Sequence, residues 1–216
     1  MPASSVVELV ERNGGGGGIG AGNGRPFGNG GKGSGNPGIP QRTYVTGMIL
    51  ALGGILMFFM ALVSAWVVRR GFPNSDWQSI ELPRVLWLNT LVLVASSFTL
   101  ARSRRCLIAG RESDYRHWWG VTTILGVFFL SGQLLAWRQM FAAGLFLATN
   151  PSSSFFYVFT AAHGLHVCGG IAALLAVALR PPRRLTRETA TKVVGLYWHF
   201  LSALWLLIFA LFLWEG

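Results

Sequence analysis

The sequence predicts an all-α integral membrane protein: a bundle of five transmembrane helices behind a disordered, glycine-rich leader. Three observations carry that prediction. Of the 216 residues, 52% are hydrophobic and 12% charged, and the apolar ones gather into unbroken stretches longer than a soluble domain tolerates. Five such stretches occur, at about 43–68, 83–102, 118–143, 153–179 and 193–214, each long enough to cross a hydrocarbon layer about 30 Å thick. The basic residues behind the net charge of +10 sit in short runs between these stretches, where membrane proteins keep their topological charge, so no nucleic-acid partner is required.

The chain divides into a leader, 1–42, and a five-helix membrane domain, 43–216. The leader holds Gly14 to Gly18 in one run and is punctuated by Pro26, Pro37 and Pro40, a composition that buries too little apolar surface to fold. Its apolar run near Val6 is too short for a secretory signal and carries Glu8. The first span contains Gly47, Gly53 and Gly54, which let another helix approach closely. In the third, Gln133 and Ser131 beside Gly132 read as helix-to-helix hydrogen-bonding groups, and Arg138 near the span end reads as a snorkelling cation. Trp66, Trp87, Trp118, Trp119, Trp137 and Trp214 fall near span ends, where amphipathic rings are favoured. Cys106 in a basic loop and Cys168 inside a span predict neither a disulfide nor a metal-ligand pattern.

Charge sets the expected orientation. The loop after span two carries Arg102, Arg104, Arg105, Arg111 and Arg116, and the loop after span four carries Arg180, Arg183, Arg184, Arg187 and Lys192, whereas 144–152 carries no charge. Both basic loops are therefore expected in the cytoplasm, which places the N-terminus inside and the C-terminus outside. The first loop, with Arg69, Arg70 and Arg84 outside, is the smaller conflict.

The fourth span poses the chemical question, because His163 and His166 interrupt an otherwise apolar segment. His163 lies roughly 15 Å along a helix starting near 153, close to the middle of the bilayer, where an ionisable group needs a partner. The two histidines share a helix face, and Gly164, Gly169 and Gly170 leave space for a neighbour. His199 lies in the fifth span at a similar depth from the opposite entry, so antiparallel neighbours are expected to bring it to His166. Haem or metal ligation is not expected: histidines three apart cannot take opposite faces of one haem, and nothing completes a zinc or copper shell. No carboxylate lies inside a span, as proton translocation through this chain would require. No catalytic residue and no metal ligand is therefore assigned.

The motifs carry a resemblance. Tyr197-Trp198-His199-Phe200 resembles the Tyr-Trp-His-Phe signature of subunit III of the haem-copper oxidases, and His163-Gly-Leu-His-Val167 resembles that family's His-Gly-Leu-His-Val motif in the preceding span. Leu88-Asn-Thr-Leu91, Ala95-Ser-Ser-Phe98, Gly132-Gln133 with Trp137, and Met57-Phe58-Phe59 match as well, so the similarity runs from Thr43 to Trp214.

The resemblance implies a non-catalytic subunit of cytochrome c oxidase, or of a quinol oxidase, in a bacterial inner membrane. It implies partners in subunits I and II, which hold the haem and copper, and bound phospholipid as this chain's own ligand. The chain is similar to the five-span bacterial form, which lacks the first two of seven helices, and the family's topology agrees with that inferred from charge. His163, His166 and His199, with Tyr197 and Trp198, are expected to line a lipid cleft, with Arg102 or Arg180 at its mouth pairing to phosphate; the alternative is three core histidines, each satisfied separately by interhelical bonds that need no ligand. Gly53 and Gly54 are expected to face subunit I. Ile55 and Ser202 stand where the family often has a glutamate and an aspartate, which weakens any direct proton-handling role. An unrelated small transporter is the alternative class; its signature of broken spans is missing, since no span core contains proline.

Overall fold

The structure is a computed structural model that describes residues 41–72, 83–145, 151–179 and 187–215. The described residues form five helices: α1 (Gln41–Arg70), α2 (Val85–Ile108), α3 (Glu112–Ala142), α4 (Pro151–Leu179) and α5 (Arg187–Glu215). All five are long and apolar enough to cross a membrane. Residues 1–40 of the leader, and Arg180, Arg183 and Arg184, lie outside the described residues, while Gln41 and Arg42 already belong to α1.

Five spans were expected and five helices are found, but the helices at the arginine-rich end run further than the apolar stretches. Arg102, Arg104 and Arg105 belong to α2, Arg116 to α3, and Arg187 and Lys192 to α5. The expected second loop shrinks to Ala109–Arg111. Hydropathy marks where hydrocarbon ends; a helix continues past that point because arginine is a good helix former whose stem can lie along the apolar surface.

Two glycines end helices by the same device. Gly110 (φ 72°) and Gly144 (φ 78°) are left-handed, which a residue without Cβ adopts freely. After α2, the Arg111 amide donates to Cys106 O (2.9 Å) and the Gly110 amide to Leu107 O (3.1 Å); after α3, Leu145 donates to Met140 O (3.1 Å) and Gly144 to Phe141 O (3.0 Å). These are Schellman closures, which satisfy the last carbonyls and reverse the chain. The first folds α2 directly back along α3. Pro151 opens α4, where its missing N–H costs nothing.

α5 packs against α1, α2 and α4, and α4 against α1, α3 and α5, while α3 lies between α2 and α4. α1 touches α5 and α4 but not α2, so a gap separates α1 from α2 along α5. The buried interior is aromatic: Phe59, Phe129, Phe156, Phe159, Trp198 and Trp205 are all essentially inaccessible. At the outer end of the topology expected from charge, Arg70 lies over the rings of Trp66 (5.3 Å) and Trp214 (5.0 Å), tying the end of α1 to the end of α5.

Candidate functional site: the aromatic junction and the arginine-rich groove

Trp198 is where the helices meet. It projects from α5 between α3 and α4 because both present a glycine to it. A Cβ on Gly126 would lie 2.7 Å from Trp198 Cη2, and one on Gly170 would lie 3.0 Å from Cε3. Its indole N–H donates to Ser96 Oγ on α2 (3.0 Å), so one side chain joins four helices. The same logic recurs about two turns away on α2 and α3: Asn89 donates to Phe129 O (3.1 Å), and Gly132 is where a Cβ would collide with the Asn89 carboxamide. Trp205 donates to Thr90 Oγ1, Trp119 to Leu174 O and Trp137 to Thr160 Oγ1, each at 3.0 Å. In hydrocarbon no water competes for these groups, so helices are joined by close packing and interhelical hydrogen bonds.

The histidines of the two motifs face different neighbours. His163 is fully buried, its ring against Trp205 (5.0 Å between centroids) and edge-to-face with Phe129 (5.7 Å). His166 donates from Nδ1 to Ala162 O within its own helix (2.7 Å) and lays its ring against Phe59 of α1 (5.7 Å). His199 is exposed and hydrogen-bonded through Nδ1 to Ser97 Oγ on α2. The expected meeting of His166 with His199 is therefore corrected. Similar depth is not enough, because α5 turns His199 toward α2 while α4 turns His166 toward α1. Tyr197 joins α5 to α4 instead, donating from its hydroxyl to His166 O (2.9 Å).

The other candidates distribute as follows. Gln133 is buried, and neither its amide atoms nor the His163 ring nitrogens have a partner among the described residues. Gly164 and Gly169 have only ordinary contacts ahead of them, Leu130 at 4.0 Å and the Tyr197 hydroxyl at 3.7 Å. Gly53 and Gly54 face open space. Arg102 stacks over Trp118 (5.1 Å) on the α2–α3 side and does not line the groove between α1, α2 and α5. Among the described residues no group of three histidine, cysteine or acidic side chains could hold a metal ion.

A groove of about 600 Å³ fills the gap between α1, α2 and α5, lined by Arg104, Arg105, Lys192 and His199 together with aliphatic side chains. Sequence reasoning nominated Arg102 and Arg180 as the cations of the cleft and missed Arg104, Arg105 and Lys192 as groove residues. The signal was present in the helical period: Ser97, Ala101, Arg104, Arg105 and Ile108 share one face of α2, and Lys192, Gly195, Leu196 and His199 one face of α5. Hydropathy hides it, because the apolar stretch of span two ends where the arginines begin.

The family model for cytochrome c oxidase subunit III matches residues 41–216, all five helices. The chain belongs to the cytochrome c oxidase subunit III family. Relatives include the probable cytochrome c oxidase subunit 3 of Nocardia farcinica, 35% identical over 170 residues that cover 76% of this chain and 84% of that protein. The probable cytochrome c oxidase subunit 3 of Mycobacterium tuberculosis is 32% identical over 76% of this chain and 83% of its own length. The cytochrome c oxidase subunit 3 of Synechocystis is 30% identical over 76% and 72%. As a subunit III family member the chain is an oxidase subunit and a multi-pass membrane protein, which sets aside an unrelated transporter.

Proposed function

We propose that this subunit III is a non-catalytic, lipid-binding member of a bacterial cytochrome c oxidase, holding subunit I in its active form during oxygen reduction and proton pumping. One observation carries the reading: the side chains of both motifs, His163, His166, Tyr197 and Trp198, are committed to joining helices. A helix bundle with an aromatic core is what a supporting subunit supplies. The domain plan keeps the leader, 1–42, as a separate cytoplasmic segment, with the C-terminus external. Subunits I and II are the partners, with haem and copper on them. The names of the relatives favour cytochrome c over quinol as electron donor.

The test compares the purified oxidase with and without this chain. Without it, the initial rate of oxygen consumption is expected to persist, the complex to inactivate sooner during turnover, and tightly bound phospholipid to fall. A complex that survives turnover equally long without the chain would refute the supporting role. Stoichiometric haem or copper on the isolated chain would refute the non-catalytic one.

A further inference from the structure

Four polar atoms in the interior of the bundle are buried and unpartnered among the described residues: the carboxamide oxygen and nitrogen of Gln133 and both ring nitrogens of His163. Gln133 is 3% exposed and His163 0%, and each lies well inside a helix that is long and apolar enough to cross a membrane. Polar side chains at such a depth bond across to another helix. Trp137, one turn beyond Gln133 on α3, does so, donating to Thr160 Oγ1 on α4 (3.0 Å). A carboxamide and an imidazole that are buried without partners lose their hydration and gain nothing for it.

Two contacts bracket this pair of side chains. His163 of α4 meets Phe129 of α3 ring to ring (5.7 Å between centroids), and Thr160, one turn earlier on α4, meets Trp137, two turns later on α3. Gln133 stands midway between Phe129 and Trp137 on the same face of α3, so its carboxamide enters the α3–α4 interface close to the level of the His163 ring. Gly164, next to His163, leaves room in that interface: a Cβ added to it would meet only Leu130 Cδ2, at 4.0 Å.

The chemistry of the four atoms names what fits between them. The carboxamide offers two N–H donors and a carbonyl acceptor, and a neutral imidazole one donor and one acceptor, so the occupant must both donate and accept. It must be uncharged: no carboxylate, lysine or arginine is among the buried polar side chains of the described residues, and an ion would be left uncompensated. It must also be small, because the rings of Phe129 and Trp205 already cover His163. Water meets all three conditions, and a buried water is the usual partner of polar groups that the protein leaves unbonded.

We propose that Gln133 and His163 hold one buried water between α3 and α4, which accepts a hydrogen bond from one side chain and donates one to the other. It joins the same two helices that Trp137 and Thr160 join directly. The site stands apart from the lipid-binding reading and is unaffected by its failure. The water gives up bonds in bulk solvent for those it makes here and is immobilised in making them, so it adds little stability and is read in density rather than in a melting curve.

The test is a high-resolution electron cryo-microscopy map of the purified oxidase containing this chain. A solvent peak is expected about 2.7–3.2 Å from a carboxamide atom of Gln133 and at the same range from a ring nitrogen of His163. Gln133→Leu, which keeps much of the bulk and removes the polar atoms, is expected to lose the peak, and His163→Leu likewise. A Gln133 carboxamide bonded directly to the His163 ring would overturn the proposal, as would an interface closed around both with no peak. A peak that stays in place in both variants would overturn it too, because other groups would then hold the water. Where neither variant assembles, the map of the unaltered complex decides: the bridging peak upholds the site and its absence refutes it.

Discussion

Trp198 and the glycines on either side of it make a quantitative test of how this bundle is held together. A Trp→Ala change in a water-soluble core costs about 3–5 kcal/mol, part of which is transfer of the ring out of water. Here the unfolded reference stays in lipid, so that part largely vanishes and lost packing dominates. The hydrogen bond to Ser96 adds about 0.6 kcal/mol, and Ser96 keeps a second partner in Leu93 O (2.7 Å). Trp198→Ala is therefore expected to cost about 2–3 kcal/mol. The sharper experiment is a double-mutant cycle with Gly126. An added Cβ there meets the rigid six-membered ring of Trp198 at 2.7 Å, so Gly126→Ala alone forces the indole or the α3 backbone to move, at about 1–3 kcal/mol. Trp198→Phe removes the clashing edge, and Gly126→Ala on that background is expected to be nearly neutral. The coupling, about 1 kcal/mol or more, is read from unfolding of the detergent-solubilised chain, with near-UV circular dichroism following the tryptophans. Effects that add within about 0.5 kcal/mol would mean the ring does not lie between these glycines.

Three further outcomes are expected. Gly110→Ala forces a Cβ into φ 72° and should lower stability by about 1–2 kcal/mol, with Gly110→Asn milder; equal thermal midpoints for all three would refute the Schellman closure. A Cβ added at Gly53 or Gly54 meets nothing within 4 Å among the described residues, so Gly53→Leu with Gly54→Leu should fold with an unchanged melting midpoint yet co-purify with its oxidase partners at reduced stoichiometry; full stoichiometry would move the interface elsewhere. His163→Leu removes two buried nitrogens that have no partner among the described residues, and because an apolar replacement of similar shape escapes their desolvation cost, thermal stability should hold or rise; a loss above about 2 kcal/mol would show that those nitrogens are bonded in the membrane.

The sequence by itself determined the class, the number of spans and the family, because each is written in one dimension. Twenty consecutive apolar residues meet the thickness of a bilayer wherever their neighbours lie, and Tyr197-Trp198-His199-Phe200 is legible as a string. It marked Gly170 as a place of close helix approach but put Tyr197 and Trp198 at a lipid cleft, whereas Trp198 packs against Gly126 and Gly170 and Tyr197 donates to His166 O. What it did not determine was helix rotation. His163, His166 and His199 lie at related depths, but whether a side chain faces α1, α2 or the interior depends on how α4 and α5 are turned about their own axes. Contacts from other helices decide that: Gly126 admits Trp198, Gly132 admits the Asn89 side chain, and these fix the facing of α2, α3 and α5 together. The arginines were misplaced for a related reason. Charge marks the edge of the hydrocarbon, and only the completed helices, with α2 and α5 side by side and α1 held off from α2, gather Arg104, Arg105 and Lys192 around one groove.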